Sequence, residues 1–365
     1  MGSPYSFKRY GQSGLPVSEI FAKTAAAAAD DLCVIRSMQA EVPNHEPSLM
    51  LMNCGEGQLP RPSFGAWVNY GLGTMNENLP GFVAISHPRS GKLWRSGFLP
   101  SEYQGTRFSP DETVPEKMIR YLKNPTQDKA SQRQQLDLIQ QLNGLHLADR
   151  STDGFLEGRI RAMETAFRMQ FAVPDVFDIS KESKETRELY GNSEYAKGCL
   201  IARRLVERGV RSVQLSHSID GYDIAWDTGH GYIRGGHARL AKACDQGIAA
   251  LIQDLKRRGL LDETLVVWGG EFGRAPTSEG KKGRDHDHYG FTMFMAGGGV
   301  KPGFSYGATD NFGLTAVENR VHVHDLHATI LHLMGLDHEK LTYRYSGRDY
   351  RLTDVHGKVI HDIIA

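Results

Sequence analysis

The regular alternation of helical and strand patterns in the carboxyl-terminal half of the chain most constrains the fold. Residues 196–207 and 239–258 have the apolar periodicity of helices, whereas residues 212–215, 265–268 and 291–296 are short apolar runs typical of strands. Strands that alternate with helices favour a parallel sheet whose connections are right-handed crossovers. We therefore predict an α/β fold with a mostly parallel central sheet.

The amino-terminal part of the chain is less regular. Helices are expected at residues 17–29 and 48–54, and strands at residues 32–37 and 82–85. Residues 56–110 are rich in Gly, Pro and aromatic residues, which predicts long loops over a surface.

The composition changes between residues 111 and 190, where Gln and charged residues dominate and apolar residues recur at helical spacing. This segment predicts a helical insertion or cap. At 365 residues the chain exceeds the usual size of a single core. We expect one large domain, residues 1–365, that contains the insertion.

The charge balance and the cysteine positions exclude several classes of protein. Lys plus Arg and Asp plus Glu each number 43, so no net field attracts nucleic acid, and nucleic acid is not an expected partner. No run of about 18 apolar residues is present, so membrane insertion is not expected. The cysteines are too widely spaced for a zinc ribbon or a disulfide framework; they are Cys33, Cys54, Cys199 and Cys244.

The densest set of candidate functional residues lies within residues 266–299, between two apolar runs. Glu271 follows the first run, and Arg284, Asp285 and His286 stand in a polar segment before the second. Open α/β sheets bind ligands at the carboxyl ends of their strands. Carboxylates together with imidazoles are ligands that Zn²⁺ or Mn²⁺ accepts, so contact with a metal or a substrate is expected. The alternative is a solvated loop.

A second candidate site follows the strand at residues 212–215. Asp227 and His230 stand three residues apart, and the glycines between and after them let the backbone turn so that both reach one metal ion. In the alternative interpretation, Asp227 caps a turn and His230 is an exposed loop residue. The same segment offers Asp220 and Asp223 as further polar groups.

The third candidate site is formed by Asn44 and His45, which follow a strand and precede a helix. Main-chain N–H groups at a helix N-terminus favour anions, so a phosphate or sulfate oxygen is expected there. Asn44 as a simple N-cap is the alternative. The sequence lacks the H-E-x-x-H motif and the glycine motifs of nucleotide-binding proteins, which excludes the corresponding chemistries.

Several long motifs resemble a known family. GGEFGRAP, GRDHDHYGFTMFMAGGG, VHVHDLHATILHLMGLD and the early NHEPSLMLMNCG are similar to the DUF1501 family, which is abundant in planctomycetes and related bacteria and is often labelled sulfatase-like. The resemblance covers nearly the whole chain and implies the alkaline phosphatase and sulfatase superfamily. That superfamily implies a three-layer α/β/α fold with a metal site at the carboxyl edge of the sheet.

The resemblance also implies roles for individual residues. Asp227 and His230 would be the metal-binding pair of a W-D-x-H motif, which has one extra residue in this chain. Glu271 would be the acidic ligand at a strand end and His286 a later histidine ligand, and we expect Asp285 to converge on the same ion. Asn44 stands where the superfamily has a Ser, Thr or Cys nucleophile, and the C-x-P-x-R pattern from which sulfatases make formylglycine is absent.

Members of the family usually begin with a twin-arginine export signal and a first strand, and this sequence starts after both. The resemblance therefore implies a periplasmic or exported protein, although the sequence shows no signal. It also implies that a central strand and one metal ligand are absent. An unpaired sheet edge favours pairing with another chain, so self-association is expected.

Two functions fit these patterns. The first is a metal-dependent hydrolase of phosphate or sulfate esters, with Zn, Mn, Ca or Mg as the divalent metal and a small anionic ester or sulfated glycan as the substrate. Arg274 or Arg284 would clamp the anion beside Asn44 and His45, because a guanidinium pairs with two anion oxygens at once. The second is a non-catalytic scaffold that binds a sulfated or phosphorylated glycan, or a protein partner, on the loops of residues 56–110.

Overall fold

The computed structural model of the chain describes residues 2–85, 88–109, 115–119, 122–148, 154–217, 225–280 and 282–365. The strands are β1 (Phe7–Tyr10), β2 (Leu15–Ser18), β3 (Leu32–Gln39), β4 (Phe82–Ile85), β5 (Thr106–Phe108), β6 (Ser212–Leu215), β7 (Val266–Trp268), β8 (Gly273–Glu279), β9 (Gly283–Asp287), β10 (Phe291–Ala296), β11 (Phe304–Tyr306), β12 (Ala308–Thr309), β13 (Ala316–Glu318), β14 (Val321–His322), β15 (Tyr343–Tyr345) and β16 (Arg348–Tyr350). The helices are α1 (Ala22–Ala28), α2 (His45–Cys54), α3 (Phe64–Leu72), α4 (Pro115–Met118), α5 (Lys129–Ala148), α6 (Gly154–Phe177), α7 (Lys184–Tyr190), α8 (Glu194–Val206), α9 (Gly229–Arg257) and α10 (Val323–Leu333).

The larger sheet is built around β3. Its strand order is β11-β3-β10-β7, and β14 also pairs with β3. Residues that alternate along β3 pack on opposite faces, as the two-residue period of a strand requires. Cys33 and Ile35 join the core formed with α2 and α10, whereas Leu32 and Val34 pack against α1 and α9. The sheet is therefore covered by helices on both faces.

The smaller sheet has the order β5-β4-β6, and its neighbouring strands are parallel. All four residues of β4 are buried. A continuous apolar run is typical of a central parallel strand that is covered on both faces. Val83 and Ile85 pack with α6 and α8, and Phe82 and Ala84 pack with Met50 of α2.

The α/β class is confirmed, but a single, mostly parallel sheet is not what the described residues form. In the larger sheet β10 is antiparallel to both β3 and β7, while β11 and β14 are parallel to β3. Parallel neighbours need a long crossover, usually a helix. Residues 269–290 contain the hairpin β8–β9 instead of a helix, so the chain returns from β7 in the antiparallel direction.

Several predicted elements differ from the observed ones. Residues 17–18 belong to β2, and the helix predicted at residues 17–29 is interrupted by 3₁₀ turns on either side of α1. Residues 56–110, predicted as long loops with one strand at residues 82–85, contain that strand as β4 and also α3 and β5. Helix α9 starts ten residues earlier than predicted, and it includes non-helical backbone at Tyr232.

The segment between residues 111 and 190 contains α4, α5, α6 and α7 in its described parts. Val173 and Val176 of α6 are buried against the smaller sheet. The role of this segment as an insertion or cap, and the single-domain organisation, remain predictions. No helix in the described ranges is both long enough and apolar enough to cross a membrane.

Candidate metal site

Four side chains from separate parts of the chain converge at the end of β7. They are His45, Asp227, His230 and His286, and one ligand atom of each lies within 4.8 Å of the corresponding atoms of the others. His45 is the first residue of α2, Asp227 and His230 flank the start of α9, and His286 lies in β9. Elements distant in sequence therefore supply one compact group of donors.

A single carboxylate oxygen is the centre of this group. Oδ1 of Asp227 lies 2.9 Å from Nε2 of His45, 3.0 Å from Nε2 of His230 and 3.2 Å from Nε2 of His286. The Nε2 atoms of His230 and His286 are 2.8 Å apart. Ligand atoms of a tetrahedral Zn²⁺ site, each about 2.0 Å from the ion, lie about 3.3 Å from one another. Small outward shifts of these side chains would make room for an ion.

The outer nitrogens of two of these imidazoles are bonded to acceptors. Nδ1 of His45 lies 2.5 Å from Oε1 of Glu271, and Nδ1 of His286 lies 2.6 Å from the main-chain oxygen of Pro43. Both partners are oxygen acceptors, so each Nδ1 carries the proton and donates it. This arrangement, in which an outer acceptor orients an imidazole, is typical of histidine ligands of metals.

The inner nitrogens consequently have lone pairs that face a carboxylate. A neutral imidazole has one N–H, which Nδ1 uses, and Nε2 is then an acceptor. Nε2 of His45 is buried and forms no hydrogen bond of acceptable geometry, although Asp227 Oδ1 is 2.9 Å away. In the neutral imidazoles, the Nε2 lone pairs of His45 and His286 directed at the Asp227 oxygen repel it unless a proton or a metal ion lies between them. The donor set therefore fits a divalent metal.

The charges around the group are consistent with this arrangement. Burial disfavours the charged form of Asp227, but the neighbouring Arg274 guanidinium and the imidazoles of His45 and His286 outweigh it and hold the pKa of this carboxyl well below its usual range. Burial also disfavours the charged form of His45, yet Glu271 and Asp227 raise the pKa of its imidazole above the usual value. Asp227 is thus ionised, and a positive charge is favoured beside it.

The two predicted arginines have different surroundings. Nη2 of Arg274 donates to Asp227 Oδ1 at 2.7 Å, and Nη1 of Arg274 donates to the main-chain oxygen of Arg284 at 3.3 Å. Arg284 is buried, and its guanidinium donates to the main-chain oxygens of Ala275 and Gly2. Arg274 therefore borders the group directly, whereas the Arg284 guanidinium is bonded to main-chain oxygens.

Residues 283–287 form a strand in place of the predicted loop. β9 pairs with β8 as an antiparallel hairpin. Side chains alternate along a strand, so Arg284 and His286 share one face, and the side chain of Asp285 lies on the other. Asp285 is exposed, and its Oδ1 accepts a hydrogen bond from the main-chain N–H of His286. It does not join the four-residue group.

Glu271 and Asn44 also lie outside the group. Glu271 stands behind His45 as its acceptor. Asn44 occupies the N-cap position of α2, but its side chain makes no capping bond. Asp220 and Asp223 lie outside the described residues. The structure thus brings together Asp227, His230 and His286 from the predicted ligands and adds His45, which the sequence pattern predicted as an anion-binding or catalytic residue.

One further residue of the site was not predicted. The ring of Phe272 lies 4.1 Å from that of His286 and 4.9 Å from that of His45, measured between ring centres. An apolar ring beside imidazole ligands limits the access of solvent and so strengthens electrostatic interactions. The signal in the sequence was the position of Phe272 directly after Glu271.

Comparisons with known proteins place the chain in one family. A family described as "Protein of unknown function (DUF1501)" matches residues 1–364. Among curated proteins none matches.

Three solved structures are similar at low identity. Ps i-CgsB in complex with k-i-k-neocarrahexaose has 13% identity and a TM-score of 0.40, covering 85% of this chain and 65% of that chain. Ps i-CgsB alone has 13% identity and a TM-score of 0.42, with coverage of 86% and 66%. The phosphonate monoester hydrolase SpPMH from Silicibacter pomeroyi has 12% identity and a TM-score of 0.37, with coverage of 84% and 67%. This chain thus spans about two thirds of the length of these proteins.

Proposed function

Given that the chain belongs to the DUF1501 family, we propose that it is a metal-dependent hydrolase of phosphate or sulfate esters. The observation that carries this proposal is the convergence of three imidazole Nε2 atoms on the carboxylate of Asp227. The substrate class is a small anionic ester or a sulfated glycan. The three-layer arrangement and the exported location implied by the family resemblance belong to the same proposal.

We propose Zn²⁺ as the first ion to test. Imidazole nitrogens outnumber carboxylate oxygens in the group by three to one. Ca²⁺ and Mg²⁺ prefer oxygen ligands, whereas imidazole suits Zn²⁺ and related transition metals. When bound, the ion would supply Lewis-acid polarisation of an ester oxygen and acidify a water molecule.

The protein side chains have separate tasks in this proposal. His45, Asp227, His230 and His286 hold the ion, and Glu271 keeps the His45 proton on Nδ1 so that Nε2 stays free to bind. Arg274 borders the ion site and is assigned to the anionic oxygens of the ester, because its planar guanidinium matches them. The Arg284 guanidinium is directed at main-chain oxygens, so it is assigned to positioning of the β8–β9 hairpin.

A non-catalytic scaffold is the second candidate function. Asn44 precedes His45 at the position where the superfamily has a Ser, Thr or Cys nucleophile, and a carboxamide does not form the covalent ester that such a side chain forms. A protein of this kind would still bind metal and an anionic glycan. It would hydrolyse neither phosphate nor sulfate esters.

The test begins with metal binding to the full chain after treatment with a chelator. We expect isothermal titration calorimetry to give one tight Zn²⁺ site, and His230→Ala or His286→Ala to weaken it by more than about 100-fold, since loss of an outer partner alone costs 10–100-fold. His332→Ala is the matched control, because His332 is exposed on α10. Absence of Zn²⁺ binding, or equal effects of all three variants, would contradict the metal site.

The zinc-loaded protein is then assayed with phosphate monoesters, phosphate diesters, sulfate monoesters and sulfated oligosaccharides. Turnover that depends on Zn²⁺ and is lost in Arg274→Met, with Zn²⁺ affinity retained, supports the hydrolase. Tight Zn²⁺ binding with no turnover of any ester supports the scaffold.

A further inference from the structure

A deep cavity separates the two sheets. It has a volume of about 1510 Å³ and is lined by the consecutive residues 209–217 on one side and 262–274 on the other. These segments contain β6 and β7. The cavity therefore runs along the full length of both strands.

β6 and β7 turn unpaired main-chain edges towards this cavity. Ser212 N and Ser216 N donate to Gly81 O and Ile85 O on the β4 side. Successive N–H groups of a strand point in opposite directions, so those of Val213 and Leu215 point away from β4. Within the described residues, β6 pairs with β4 alone and β7 pairs with β10 alone. Each strand has a free edge of the kind that templates another strand.

The two edges run in the same direction. His217, which follows β6, accepts a hydrogen bond from Trp226, the neighbour of Asp227. Glu271, which follows β7, pairs with His45. The carboxyl ends of both strands thus meet at the candidate metal site, and β6 and β7 are parallel.

Apolar side chains line the cavity above and below the plane of the strands. Val206, Leu251 and Leu255 belong to α8 and α9 on one face, and Met52, Val68 and Leu333 belong to α2, α3 and α10 on the other. Val267 of β7 is 38% exposed although it lies among these helices. A strand buried on both faces is a continuous apolar run, because side chains pointing either way meet apolar walls.

We propose that this cavity binds an extended apolar segment of a partner polypeptide, which inserts between β6 and β7 as a parallel strand. Four residues of β6 are available for pairing, which corresponds to a segment of about four residues, or about 13 Å at 3.3 Å per residue. Consecutive Val, Ile or Leu residues fit the position between β6 and β7, because the cavity walls on both faces of the inserted strand are apolar and its main chain is paired on both sides. The proposal does not depend on metal binding or on hydrolysis.

The test uses fluorescein-labelled peptides with a core of four Val and Ile residues flanked by lysines, and the full chain is titrated by fluorescence anisotropy. We expect saturable binding that Val267→Glu weakens by about tenfold or more, since a charge opposite an apolar strand is desolvated without a partner. Val317→Glu is the matched control, because Val317 is exposed on β13, away from the cavity lining. Val206→Phe, which fills part of the cavity without adding charge, is a second variant and is expected to weaken binding as well.

N-methylated peptides define the mode of binding. A strand paired on both sides uses successive N–H groups on opposite edges, so methylation of either of two adjacent core residues should weaken binding by about tenfold. Hydrogen exchange should slow at Val213 and Leu215 when the peptide binds. Absence of saturable binding, insensitivity to both cavity variants, or tolerance of methylation at every second residue would overturn insertion between the two strands. Displacement of the peptide by dodecanoate at equal concentration would instead assign the cavity to a small apolar ligand and overturn the proposal.

Discussion

Lowering the pH should destabilise the protein through His327, a histidine buried in α10. His327 is 2% exposed, and Nε2 donates to the main-chain oxygen of Met52 at 2.8 Å. Burial lowers the pKa of this imidazole from 6.5 to about 4. At a pH between these two pKa values, His327 is protonated in the unfolded chain and neutral in the folded chain. Stability attributable to His327 is therefore complete above pH 6.5 and is lost as the pH falls towards 4.

The size of the effect follows from the two pKa values. At pH 5 the unfolded state gains about 2 kcal/mol from protonation of this one residue, and at pH 7 the gain is only about 0.2 kcal/mol. His327→Gln removes the titration while it keeps an N–H donor for Met52. We expect the free energy of unfolding of the variant, relative to the wild type, to rise by about 2 kcal/mol between pH 7 and pH 5.

Urea denaturation at pH 7, 6 and 5 measures this difference. Loss of ring packing in His327→Gln lowers stability equally at each pH. The pH dependence of the difference between variant and wild type therefore reports only the protonation of His327. His332→Gln is the control on the same helix, because its side chain is exposed, and it should follow the wild type at every pH. A difference between His327→Gln and the wild type that stays constant from pH 7 to pH 5 would refute the reasoning.

Three further predictions concern the site and the core. Glu271→Gln should weaken Zn²⁺ binding by about 10–100-fold in calorimetry, because His45 loses its carboxylate acceptor, and it should lower any esterase activity far more than the melting temperature; equal losses would contradict the assigned role. Arg203→Met should lower the free energy of unfolding by about 3–5 kcal/mol in urea, because Asp254 is 0% exposed and is left with fewer partners, whereas Lys184→Met on an exposed surface should have little effect. Chelation with 1,10-phenanthroline should abolish turnover without loss of far-ultraviolet circular dichroism, since the main cores lie away from the ion; unfolding on chelation would show that the ion is structural.

Local sequence predicted much of the fold where an apolar run ends in polar or glycine residues. The strands at residues 82–85, 212–215 and 291–296 were predicted with the observed bounds. The β8–β9 hairpin was not, because GRAPTSE contains Pro276 and lacks the alternation of apolar and polar residues that identifies a half-buried strand. The direction of β10 depends on that hairpin, so it was missed as well.

The candidate site was also predicted only in part. Because Asp227, His230 and His286 follow predicted strands, the sequence indicated that they lie near one another. The role of each as a metal ligand remains a prediction. Which carboxylate faces the ion depends on side-chain direction. Glu271 is held by His45, and a one-residue alternation in β9 turns Asp285 away from His286. Sequence spacing does not contain this information.

The central position of β3 has a consequence for how the chain is made. β3 ends at Gln39, and its neighbour β10 begins at Phe291, so about 250 residues separate the two partners. At the usual 5–20 residues per second of synthesis, β3 waits about 12–50 s for its first long-range partner to leave the ribosome. During that time a strand with an apolar face has both edges open to other chains. We therefore expect the yield of folded protein to depend on elongation rate and on chaperones that hold nascent chains, more than on the stability that the finished sheet provides.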